Sequence, residues 1–91
     1  MRSRYTAYAR GLADYLRDTW HVSSRPAALD LSDGPKWLGL AVLDHAVVAP
    51  ERATVEFVAR YKAGGRAGKL HEVSRFVREN GRWYYVDGVT P

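Results

Sequence analysis

The chain has 91 residues, no cysteine, 46% hydrophobic residues and a formal net charge of +4. That length holds one domain, spanning residues 1–91, and the lack of cysteine excludes thiol catalysis, disulfide scaffolding and cysteine-ligated zinc within these residues. The positive charges are scattered along the chain and form no run or stripe, which argues against nucleic acid as a partner.

No apolar stretch approaches the ~20 residues that a membrane span needs. The basic start, MRSRYTAYARG, is followed by no signal-peptide core, so the expected location is cytoplasmic.

Residues 2–20 carry a helical period. Tyr5, Tyr8, Leu12, Tyr15, Leu16 and Thr19 recur at three- and four-residue spacing and make one stripe. Gly11 interrupts it, which predicts two short helices or one bent helix with Gly11 near the bend. Three phenol hydroxyls on a buried stripe each need a partner. Next, Ser24 is placed to cap a short helix starting near Pro26, and Ser32-Asp33-Gly34-Pro35 reads as a turn.

From Trp37 onward the period changes to two. WLGLAVLDHAVV is an apolar strand ending near Ala49-Pro50-Glu51, and ATVEFVARYK alternates cleanly. AGGRAG is a hairpin turn between strands. A phosphate loop would need a helix after its glycines, and here a strand follows. KLHEVSRFVR and RWYYVDG close the chain around Glu79-Asn80-Gly81, a hairpin signal. Helices followed by an antiparallel meander of about four strands define an α+β domain with the helices on one face of a curved sheet.

Strand phase assigns the faces. Val55, Phe57, Ala59 and Tyr61, with Leu70, Glu72, Ser74, Phe76, Trp83, Tyr85 and Asp87, form an inner face for the helix stripe. Glu72, Ser74 and Asp87 bring polarity to it. Glu72 and Asp87 are the weak candidates for an acid/base carboxylate. A ligand pocket would draw on Arg4, Tyr5, Tyr8, Tyr15, Trp20, Glu72, Ser74 and Tyr85. The competing structural reading, favoured here, pairs Glu72 with Arg4 and ties helix to sheet.

The opposite face carries Val58, Val73, Val77, Tyr84 and Val86, an apolar patch suited to a homodimer contact. His21, His45 and His71 lie in separate segments without metal-site spacing, so neither a metal nor a cofactor is expected. Ser23 and Ser24 have no histidine–carboxylate arrangement near them in sequence to make either a nucleophile.

RSRYTAY at 2–8, DYLRDTWH at 14–21, RPA at 25–27, LHEVSRF at 70–76 and RWYYVDG at 82–88 together resemble the YchJ-like proteins of bacteria. The resemblance implies an NTF2-like (cystatin-like) cone, the fold shared by nuclear transport factor 2 and ketosteroid isomerase. It carries no catalytic role, because no reaction is assigned to the family and the fold hosts isomerases, dehydratases and binding domains alike. Members typically carry a cysteine-rich SEC-C zinc motif beside this domain. These residues contain none, so Met1 reads as a trimmed or late-called start. The expected function is binding of a small ligand or a peptide segment. The alternatives are an isomerase- or dehydratase-type enzyme using Glu72 or Asp87, and an accessory domain that meets proteins or ribosomes through its basic outer face.

Overall fold

Arg2–Arg10 form helix α1, which stops because Gly11 takes a left-handed φ of 70°. The Gly11 N–H donates to the Tyr8 carbonyl at 3.3 Å and the Leu12 N–H to the Ala7 carbonyl at 2.8 Å. This is the paired closure of a Schellman cap, which favours a residue without a Cβ. The chain restarts at once as α2, Ala13–Asp18. The computed structural model describes residues 2–31 and 34–91.

Two helices therefore replace one continuous stripe, and the buried line moves. Arg4 and Ala7 are the buried residues of α1, and Leu16 is that of α2. Tyr5 and Tyr8 are half-buried, whereas Leu12 and Tyr15 are 48% and 40% exposed. The reversal at Gly11 changes the helix axis, so a single periodicity cannot govern both helices.

No helix forms near Pro26. Ser24 serves tertiary structure instead of a cap: its hydroxyl donates to the Val86 carbonyl at 2.6 Å and accepts from the Trp20 indole at 3.2 Å. The turn predicted at Ser32–Pro35 begins on Ser32 and Asp33, which lie outside the described residues.

The rest is a four-stranded antiparallel meander in the order β1-β2-β3-β4, with β1 Lys36–Ala49, β2 Arg52–Ala63, β3 Arg66–Glu79 and β4 Arg82–Val89. Turns at Gly64-Gly65 and Asn80-Gly81, all four residues with positive φ, close the second and third connections in the manner of tight hairpins. Strand β2 alternates as read from sequence: Ala53, Val55, Phe57 and Ala59 are buried. They face Phe76, Ser74, Glu72 and Leu70 across the β2–β3 ladder. With Ala7 and Leu16 from the helices they form the core.

Bulges break the alternation elsewhere. Strand β1 carries one extra residue at each of Leu38, Leu43 and Val48 relative to β2. Strand β4 carries one at Val86, between Tyr85 opposite Phe76 and Asp87 opposite Arg75. A bulge inverts the facing of everything beyond it and bends the strand. Among the described residues no helix is long and apolar enough to cross a membrane.

Candidate functional site

Arg4 is the centre of the helix–sheet contact. It is 3% exposed, and its guanidinium donates to the Leu16 carbonyl at 3.1 Å and to the Thr19 hydroxyl at 2.6 Å. Carbonyls in the last turn of a helix lack intrahelical donors, so a cation there closes α2. The same guanidinium lies 4.5 Å from the Tyr85 ring centre and 5.2 Å from that of Trp20, and the two rings meet edge-on at 5.1 Å. Burial lowers the Arg4 pKa, and the phenols of Tyr8, Tyr85 and Tyr15 partly offset that.

The expected Arg4–Glu72 pairing does not form. Arg4 is held by the end of α2, and the Glu72 carboxylate accepts instead from the Ser74 hydroxyl at 2.7 Å. Ser74 is fully buried. Opposite it across the β3–β4 ladder stands Gly88, where a Cβ would fall on the Glu72 carboxyl group. Ser74 and Gly88 thus seat Glu72, one by donating and one by leaving room.

Two clefts flank Arg4. One, of about 210 Å³, is walled by Tyr5 and Tyr8 from α1, Trp37 from β1, Phe57, Ala59 and Leu70 from the sheet, and Glu72 and Tyr85. Trp37 gathers the aromatic side: its ring centre lies 6.0 Å from Tyr5, 6.2 Å from Tyr8 and 5.8 Å from Tyr61. The other cleft, of about 270 Å³, lies between Ser3, Tyr15 and Thr19 on the helical side and His45, Ala53, Val55, Phe76 and Trp83 on the sheet.

Of the residues singled out in sequence, Arg4, Tyr5, Tyr8, Glu72 and Tyr85 come together on the first cleft and Tyr15 on the second. Trp20 packs on Arg4 and Tyr85 and bridges the edge of β4, where Tyr85 N–H donates to the Thr19 carbonyl and His21 N–H to the Tyr85 carbonyl. Ser74 lies behind Glu72. The placement of Asp87 on the inner face is corrected: the bulge at Val86 turns it outward, opposite Arg75. Arg75 grips it in two places, Nε to Oδ1 at 2.6 Å and Nη2 to Oδ2, and this hydrogen bonding draws the Asp87 pKa down.

Sequence reasoning missed Trp37 and His45. The three bulges of β1 hide its phase, and only the pairings of Trp37 with Tyr61 and His45 with Val55 place both on the inner face. His21 follows the end of α2. Its Nε2 meets Glu79 at 2.9 Å. On the outer face His71 meets Glu56 at 2.6 Å. Burial, followed by the charges of Glu72 and Tyr8, raises the Tyr85 phenol to about 12, with Arg4 acting in the opposite sense.

Two short helices laid on a bent four-stranded meander define the class, a small α+β domain of the NTF2-like type. The family model described as "YchJ, middle NTF2-like domain" matches residues 1–88, and the chain belongs to that family. It is 61% identical over 88 residues to a UPF0225 protein of Polaromonas naphthalenivorans, covering 97% of this chain and 65% of that one. It is 56% identical over 95 residues to a UPF0225 protein of Chromobacterium violaceum, covering 98% and 70%. The chain thus spans about two thirds of the length of these relatives. A solution structure of a SEC-C motif containing protein from Rhodopseudomonas palustris matches with a TM-score of 0.89 at 36% identity, over 100% of this chain and 75% of that one.

Proposed function

We propose that this domain binds a small ligand or a short peptide side chain in the cleft between α1 and the sheet, contacted by Tyr5, Tyr8, Trp37, Glu72 and Tyr85. The observation that carries the reading is the junction of Glu72 with that aromatic wall: a carboxylate seated by Ser74 and Gly88 opens onto the cleft, where a purely structural acid would be turned to a cation. Convergent polar groups in an apolar concavity are the general form of a ligand site. Native mass spectrometry of gently purified protein tests it. A bound species lost in a Tyr8→Ala variant supports the reading, and a bare mass that no small molecule perturbs removes it.

An acid/base role is the second reading and rests on Glu72 alone, because Asp87 faces the other way. Full turnover by Glu72→Gln on a substrate found for the domain would end it. The outer face has its own proposed partner, a second copy of the chain, through Val58, Val73, Val77, Tyr84 and Val86. Among the described residues no helix covers this side of the sheet.

A further inference from the structure

We infer that the occupant of the α1–sheet cleft is a small organic cation, an alkylammonium group presented to Glu72 and the Trp37 cluster; this rests on the ligand-binding reading above and gives it a chemical class. Three observations converge.

The first is charge. An arginine and a glutamate line the cleft, and the arginine directs hydrogen bonds to neutral acceptors at the end of α2, not to the glutamate. Arg4 donates to the Leu16 carbonyl and the Thr19 hydroxyl and lies against two rings. Glu72 has one neutral donor, Ser74, and forms no ion pair among the described residues. A carboxylate balanced only by a hydroxyl favours a cation at its open oxygen.

The second is the wall. Tyr5, Tyr8 and Tyr61 stand around Trp37 at centre distances of 5.8 to 6.2 Å and steep interplanar angles. Of these rings Tyr5, Tyr8 and Trp37 line the cleft together with Tyr85 and Glu72, while Tyr61 packs on Trp37 without lining it. Aromatic walls beside a carboxylate attract an ammonium through the ring quadrupoles. An anion would meet both the carboxylate and those electron-rich faces.

The third is size. A volume of about 210 Å³ corresponds to roughly seven water molecules at their liquid volume. That accommodates an alkylammonium headgroup or the tip of a methylated lysine.

The test uses the 91-residue protein labelled with nitrogen-15, following the indole N–H signals of its three tryptophans during titration with choline chloride. The comparison probes are 3,3-dimethylbutan-1-ol, which has nearly the same shape without the charge, and sodium benzoate. The expected result is a saturable shift centred on Trp37, about tenfold weaker for the neutral alcohol and absent for benzoate, with Glu72→Gln costing choline a similar factor. Asp87→Asn, on the opposite face, leaves the choline affinity unchanged. Equal binding of alcohol and choline overturns the cation assignment and leaves a ligand cleft standing. Preference for benzoate overturns it in favour of Arg4. No binding by any probe overturns the cation assignment, and native mass spectrometry then decides the ligand reading by itself. Glu72→Gln keeps the volume beside Gly88 and an acceptor for Ser74, so its effect reports charge.

Discussion

Replacing Gly88 by alanine would set a methyl group onto the Glu72 carboxyl. Either the strand shifts or Glu72 leaves its seat, and the cost is about 1–3 kcal/mol, as for other overpacked sites. Urea unfolding of Gly88→Ala measures it, and a midpoint equal to wild type would show that Glu72 moves freely. Tyr85 makes a second residue-scale prediction. Its phenol is raised to about 12, whereas an unfolded chain releases that proton near about 10. Between those values the unfolded state holds fewer protons than the folded one, so stability is full below about pH 10 and falls as pH rises toward 12. Thermal melts across that window should show the loss, reduced in Tyr85→Phe. An unchanged loss in that variant would place its origin elsewhere.

At the scale of elements, α2 depends on a side chain from α1. The helix has six residues, too few to persist alone in water, and it is fixed by Leu16 in the core and by Arg4 at its last turn. Arg4→Met keeps much of the apolar stem and loses both hydrogen bonds and the ring contacts. The expected cost is about 3 kcal/mol, with amide exchange rising first in residues 13–20. Uniform exchange across the sheet and α2 would mean that the domain unfolds as one unit and that Arg4 is no local clasp. The same elements show what the sequence could carry. Strand β2 was legible to the residue because Ala53 through Ala59 alternate without a bulge. Strand β1 was legible only as apolar, since its phase shifts three times. The candidate site was half legible: helix period and strand phase brought Tyr5, Tyr8, Glu72 and Tyr85 together. The partner of Arg4 was misjudged, because the demand of a helix end for donors is set by where α2 stops. The single extra residue at Val86 sent Asp87 to the wrong face for the same kind of reason.

For the whole molecule, the helices settle which side of the sheet is closed. The outer side alternates half-buried valines with the pairs Glu56–His71 and Arg75–Asp87. A pair of copies stacked there would cover the valines and leave the ion pairs to set the angle. Sedimentation velocity over a wide concentration range checks this: a rising weight-average coefficient is expected, abolished by Val73→Lys. A monomer throughout would leave the face as ordinary surface, with the valines packed only on their own strands.

The two margins of the sheet are finished differently, and this bears on how the protein behaves when crowded. The β4 margin is occupied by its own chain, where Thr19 and His21 take up the Tyr85 backbone groups. Among the described residues no strand pairs with the β1 margin, which is apolar, with Leu38, Leu43, Val47 and Val48 more than half exposed. A flat margin of that composition would be a template for stacking strand on strand into fibrils. Three of these four side chains, Leu38, Leu43 and Val48, are the extra residues, so most of the sticky surface coincides with a break in the ladder that a foreign strand would have to copy. Straightening β1 by deleting them would remove apolar surface and still yield a chain more prone to amyloid.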